Sequence, residues 1–163
     1  MMKYEMWIDG STKNNGQETT YGGWGFHMEY DGVNIFSANG GSYDTTNQRM
    51  ELTAAIEAIK YFKQFTKNKK AKVIIYTDSA YLFNCWKEKW YKKWEGNKWL
   101  NSKQQPVANR DLWEKLIPSF KDKTIQFVKV KGHADNKGNI EADRLATEAA
   151  ARVEAFENES NSY

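Results

Sequence analysis

Asp9 closes the alternating run "KYEMWID", with Gly10 behind it to permit a sharp turn, and Asp78 closes the β-branched run "AKVIIYTD" just before "SAY" opens a helical pattern. In open α/β sheets ligands collect outside the carboxyl ends of strands, so two aspartates there can face one site if their strands are neighbours. Two more carboxylates sit on helices. Glu51, in "TNQRMELTAAIEAIKYF", falls at the edge of the apolar arc made by Leu52, Ala55, Ile56, Ile59 and Phe62, away from the polar arc of Thr53, Glu57 and Lys60. Asp143 lies at the edge of the arc of Ala142, Leu145, Ala146, Ala149, Val153 and Phe156, beside the small residues Ala146 and Ala150. Singly, each has an ordinary explanation: Asp9 as turn former, Asp78 as helix N-cap, and Glu51 and Asp143 as first-turn acids favoured by the helix dipole. Brought together they would repel one another and shift their pKa values unless a cation sat among them.

A site of oxygen ligands with no Cys or His cluster selects a hard divalent ion, Mg²⁺, with Mn²⁺ as a substitute. Two such ions about 3.5 to 4 Å apart activate water and stabilise a leaving oxygen in phosphodiester hydrolysis. In-line attack of water on that pattern leaves a 5′-phosphate and a 3′-hydroxyl. Loss of solvation at Glu51 would then be offset by metal.

The elements that must position these groups read as βββαβα(α)αβα. Three strands come first, the second and third ("YGGWGFHMEY" and "VNIFSANGG") joined through Asp31-Gly32 as a hairpin. The Glu51 helix follows, then the "AKVIIYTD" strand, a short helix from Ser79, a Trp/Lys stretch, and a helix near "NRDLWEKLI" expected to stop at Pro118. "TIQFVKV" is the last strand, and a final helix is expected from about Ile140 into the mid-150s, with the polar "EAFENESNSY" fraying. This order implies an α/β fold, a mixed sheet with helices on its faces.

A chain of 163 residues, 40% hydrophobic and 15% aromatic, holds one core and is too short for two ordinary domains. The expected division is one domain over 1–155 and a polar tail over 156–163. Cys85 is the one cysteine, so neither an internal disulfide nor a cysteine-rich zinc site is available. With strand pattern from the first residues and no apolar run of membrane-spanning length, the expectation is a cytoplasmic, monomeric protein without membrane contact. Net charge is +3, yet residues 86–104 alone carry six lysines against two glutamates, together with Trp86, Trp90, Trp94 and Trp99. Lysine neutralises phosphate and tryptophan stacks on bases, so the stretch suits a nucleic-acid backbone, and equally suits a helical pair whose tryptophans pack together.

Five strings in order, "IDGS", "TTNQRMELTAAI", "YTDSAY", "VKGHADNKGN" and "EADRLATEAA", resemble ribonuclease H of type 1 and cover the chain to about residue 153. The resemblance implies a five-stranded sheet ordered 3-2-1-4-5 with a basic protrusion, or handle, at about 86–105. It implies an endonuclease that hydrolyses the RNA strand of RNA·DNA hybrids, with Asp9, Glu51, Asp78 and Asp143 as metal ligands and His133 assisting proton transfer or product release. By the same resemblance Asn15, Asn47 and Gln48 meet the hybrid's minor groove, and main chain near Ser11 and Glu51 senses the 2′-hydroxyls. Thr46 and Asn109 hold a phosphate of the DNA strand, Trp90 and Trp94 line its channel, and Ser102 contacts nucleic acid. The added Trp86 departs from the family pattern. A hybrid-binding module that had lost its chemistry would gain by neutralising the four carboxylates, and all four are present.

Overall fold

The computed structural model describes residues 3–14, 18–132 and 136–161. Its elements are β1 (Tyr4–Lys13), β2 (Tyr21–Tyr30), β3 (Val33–Tyr43), α1 (Asn47–Thr66), β4 (Val73–Thr77), α2 (Ala80–Glu88), α3 (Trp90–Gly96), α4 (Arg110–Phe120), β5 (Ile125–Lys129) and α5 (Lys137–Asn161). The five strands form one mixed sheet in the order β3-β2-β1-β4-β5, as the resemblance implies. β1 to β3 are antiparallel neighbours, and the hairpin between β2 and β3 turns through Asp31 and Gly32, both at positive φ. β4 and β5 join in parallel, reached through helices.

Adjacent glycines on β2 show how the layers are arranged. A Cβ on Gly22 would strike Met50 of α1, and a Cβ on Gly23 would strike the backbone of Ala146 and Ala150 of α5. Neighbouring strand residues point to opposite faces, so α1 and α5 lie on opposite sides of the sheet, each close to bare backbone. Between the sheet and α1, α2 and α4 sits the main core, with Met6, Ile8, Met28, Leu52, Ile75, Trp113 and Phe127 fully buried. No helix among the described residues is long and apolar enough to cross a membrane.

Three expectations about element ends are corrected. β1 does not end at Asp9: it stays paired with β2 as far as Lys13, opposite Tyr21, so Gly10 is a strand residue and makes no turn. Its small size serves packing, since a Cβ there would lie 2.5 Å from the Glu51 amide nitrogen. α4 passes through Pro118 to Phe120. Pro118 falls in the last turn on the solvent side, and the residue whose carbonyl it cannot pair, Glu114, is exposed, while Ile117, Ser119 and Phe120 are buried. α5 starts at Lys137 and runs to Asn161 rather than ending in the mid-150s. Its acidic end is tied to the sheet by a Tyr21–Glu157 hydrogen bond and a Lys13–Glu154 ion pair of 3.9 Å.

Gly23→Ala tests the close approach of α5. The obstructing atoms are backbone and cannot swing aside, so the added methyl should cost about 1 to 3 kcal/mol and lower the melting temperature by several degrees. An unchanged melt would show that α5 does not rest on β2 in solution.

Candidate active site

β1 and β4 run parallel with Trp7 opposite Tyr76, so Asp9 and Asp78, each two residues further on, emerge together at one end of the sheet. Ser79 caps α2 by accepting the Leu82 N–H at 3.1 Å, which leaves the Asp78 carboxylate clear of that duty. α1 is capped by Thr46, whose hydroxyl accepts the Arg49 N–H at 3.1 Å. Buried Thr45 and Thr20 exchange two hydrogen bonds, of 2.8 and 2.9 Å, that fix the approach to this helix. Glu51 is therefore past the first turn, and so is Asp143 on α5, and neither helix has an acid in its first turn. The separate explanations for Asp78, Glu51 and Asp143 fail on these positions.

Asp9, Glu51 and Asp78 each offer a carboxylate oxygen within 4.8 Å of the others. Asp9 and Glu51 are buried, Asp78 and Asp143 half-buried, and Asp143 lies within hydrogen-bonding reach of Asp9. The four line one cleft of about 420 Å³ with Gly10, Asn47, Gln48, Ser79, Ala80 and Tyr81. Burial first, then the Asp78 charge, push the Asp9 carboxyl up to about 8. Burial, then the charges of Asp9 and Asp78, raise Glu51 well above the ordinary carboxyl range, against one favourable hydrogen bond from the Gly10 N–H. The Glu51 Oε2 is buried with no hydrogen-bond partner among the described residues.

An orphaned carboxylate oxygen facing two further carboxylates is costly on its own and fits a divalent cation, since hard cations take oxygen ligands at about 2 to 2.5 Å. The trio thus has the donor set of a metal site.

Of the other expected contacts, Asn47 and Gln48 reach the cleft, exposed at the start of α1. Ser11 is half-buried farther along β1, and Ser102 is exposed in the loop after α3, outside the residues that line the cleft. Asn15 and His133 lie outside the described residues. His27 is buried between Ser37 at 2.8 Å and Glu29 at 2.9 Å, a paired strand residue.

Asn109 is held in the left-handed region at φ 62° by a network that the spacing of residues did not reveal. Arg49 donates to both oxygens of Asp111, at 3.0 and 2.7 Å, and to the Asn109 side-chain carbonyl at 3.3 Å. The Asn109 amide in turn donates to the Tyr81 hydroxyl at 3.1 Å, as does the Trp113 indole. Tyr81 lines the cleft, and its position directly after "TDSA" was the available signal.

In the handle, Trp94 packs on Trp90, Trp99 and Trp113 at 5.5 to 6.3 Å between ring centres, with Arg110 over Trp99 at 4.9 Å. Trp90, Trp94 and Trp99 are half-buried and the handle lysines exposed.

A family model described as RNase H matches residues 1–151. Proteins named ribonuclease H from Clostridium botulinum and from a Thermoanaerobacter species are 39% and 42% identical over 149 and 148 residues. Each alignment spans 91% of this chain and, respectively, 96% and 90% of the relative. Among solved structures, LC9-RNase H1, a type 1 RNase H with the type 2 active-site motif, superimposes with a TM-score of 0.76 at 27% identity, over 91% of this chain and 72% of that one. LC11-RNase H1 in complex with an RNA/DNA hybrid shares the fold, with a TM-score of 0.68 at 20% identity over 93% and 99% of the two chains.

The raised carboxyls set how stability depends on pH. A group whose pKa is higher folded than unfolded stabilises the fold fully below its unfolded value, and that contribution is lost as pH rises toward the folded value. In EDTA the melting temperature should therefore fall between about pH 4 and pH 8, where Asp9 is ionised in the unfolded chain and still protonated in the folded one. Mg²⁺ should abolish most of the fall, and Asp9→Asn should flatten it without metal. A melting temperature that rises across this window in EDTA would show that the fold already supplies positive charge to these groups.

Proposed function

The chain belongs to the ribonuclease H family, and from that premise we propose that it hydrolyses the RNA strand of RNA·DNA hybrids by water attack, leaving 5′-phosphate and 3′-hydroxyl ends. The observation that carries the reading is the buried, unpartnered Glu51 oxygen beside Asp9 and Asp78 in an open cleft. Asp9, Glu51, Asp78 and Asp143 are the residues that would hold Mg²⁺, or Mn²⁺ in its place. A pair of these ions, when bound, supplies an activated water and a charge sink for the departing 3′-oxygen. The catalytic unit is residues 1–155, working as a cytoplasmic monomer.

The chain's own groups bind and orient. Asn47 and Gln48 present side-chain amides to the minor-groove edge, and main chain around Ser11 and Glu51, with Asn15, meets the 2′-hydroxyls that distinguish RNA from DNA. Thr46 and Asn109 hold a phosphate of the DNA strand, with Arg49, Asp111 and Tyr81 keeping the Asn109 amide in place. Trp90 and Trp94 flank the same strand, and Ser102 lies in the handle loop beyond them. His133 moves a proton or eases product release. The hybrid in the LC11-RNase H1 complex supports the choice of substrate.

Two measurements test this reading. Asp9→Asn should remove several kcal/mol of charge stabilisation, about a thousandfold or more in rate, with the fold intact by circular dichroism. End-group analysis of the cleaved strand should find 5′-phosphates, and a 2′,3′-cyclic phosphate would overturn the assignment of all four carboxylates. For the handle, replacing exposed Lys92 and Lys93 by Ala should weaken hybrid binding and lower the salt slope by roughly 0.7 to 0.9 for each phosphate no longer neutralised. An unchanged slope would leave those lysines as solvated surface.

A further inference from the structure

Trp86 is the tryptophan that the family pattern does not use, and its surroundings form a second groove. It sits in the last turns of α2, packed on Phe83 at 5.8 Å and on Phe127 of β5 at 5.7 Å, and half-buried. Phe120, which ends α4, lies at 5.6 Å from Phe127. Trp86, Phe120, Ile125 and Gln126 line a groove of about 410 Å³, and Lys87, Lys89, Lys121 and Lys123 surround it.

The groove is removed from the carboxylates. β5 begins at Ile125 opposite Val73, the end of β4 away from Asp78. α2 starts beside the cleft at Ala80 and runs nine residues to Glu88, about 13 Å at the usual helical rise.

Its charge is unbalanced. Asp122, the one acid in the lining, is already engaged: it accepts the Thr124 N–H at 2.9 Å and the Thr124 hydroxyl at 2.7 Å, and lies 3.8 Å from Lys63. Lys121 pairs with Glu95 at 3.4 Å and lies over Tyr91 at 5.8 Å. Among the described residues, Lys87, Lys89 and Lys123 make no ion pair within 4.0 Å.

A half-buried indole beside unpaired ammonium groups suits single-stranded nucleic acid, whose phosphates meet lysines and whose open base faces meet the ring. A duplex keeps its base faces stacked internally and gains nothing from Trp86. The groove also continues the handle, because Lys89 both lines it and directly precedes Trp90.

We propose that this groove binds single-stranded DNA, namely the unpaired continuation of the hybrid's DNA strand beyond the handle. The proposal rests on the handle holding the DNA strand, as argued above.

The test compares cleavage of a blunt hybrid with hybrids carrying a single-stranded oligodeoxythymidylate overhang at either end of the DNA strand. An overhang at one end should lower KM by at least about fivefold, the lower bound for one stacked base, with kcat unchanged. The double variant Lys123→Glu, Gln126→Glu places negative charge in the groove on two exposed residues. It should abolish the overhang effect while the blunt hybrid is cut as before.

Absence of an overhang effect at both ends, with the blunt hybrid cleaved normally, would overturn this proposal and leave the nuclease assignment standing. No cleavage of any hybrid would instead overturn the nuclease assignment. Competition of polyglutamate with labelled oligodeoxythymidylate, at equal charge concentration, separates a nucleic-acid groove from a generic acidic-chain site: oligodeoxythymidylate should bind the tighter, and equal competition would overturn the assignment to DNA.

Discussion

Two carboxylates buried at one end of a sheet must be protonated or answered by positive charge, or they remain a continuing cost to the fold. The positions of α1 and α5 follow from bringing them there. α1 descends onto β1 at Gly10, where even a methyl group would meet the Glu51 amide, and α5 descends onto β2 at Gly23 and Gly25. That closeness places Glu51 and Asp143 beside Asp9. Repulsion at the site is offset by apolar packing elsewhere, in the layer of Met6, Ile8, Leu52, Trp113 and Phe127. Stability and chemistry are thus assigned to different layers of the same sheet.

The rim of the cleft is organised by hydrogen bonds instead of by packing. Arg49 from α1, Tyr81 from α2, and Asn109, Asp111 and Trp113 from the start of α4 form one connected set. The bidentate Arg49–Asp111 pair is partly exposed, so its contribution to stability is small. Its value is directional, since a planar guanidinium held at two points fixes the third contact, to Asn109. Arg110, one residue away, leans over Trp99 and ties the same corner to the handle.

How far the sequence foretells this arrangement depends on the range of the interactions involved. Helical spacing is enough to show Glu51 and Asp143 turned inward, because that is a property of one helix. The strand order comes from the family resemblance, and with it the neighbouring of Asp9 and Asp78. Gly10 reads as a turn because glycine after a strand pattern breaks strands far more often than it admits a helix, and only the partner surface decides. Pro118 and the acidic end of α5 mislead similarly, one tolerated because the carbonyl it cannot pair belongs to exposed Glu114 and the other held by partners on β1 and β2. Arg49 and Asp111 leave no periodic trace in the sequence, since they belong to a polar network across three helices, and Tyr81 is marked only by its place directly after "TDSA". For the tryptophans the packing reading holds: the rings of Trp90, Trp94 and Trp99 pack on one another, and remain half-exposed while doing so.

The same division bears on how binding and chemistry respond to the medium. Exposed lysines of the handle act through solvent and are screened over about 8 to 10 Å at ordinary ionic strength, so what they contribute to the encounter with a polyanion fades with added salt. Asp9 and Glu51 interact within a buried site where screening is weak, and their repulsion persists at any salt concentration that leaves the fold intact. Between these extremes lie Asp78 and Asp143, half-buried at the mouth of the cleft. Packing fixes the first pair; the second pair is open to whatever occupies the cleft. A site graded in this way is rigid on the side built into the sheet and adaptable on the side that a substrate phosphate must approach.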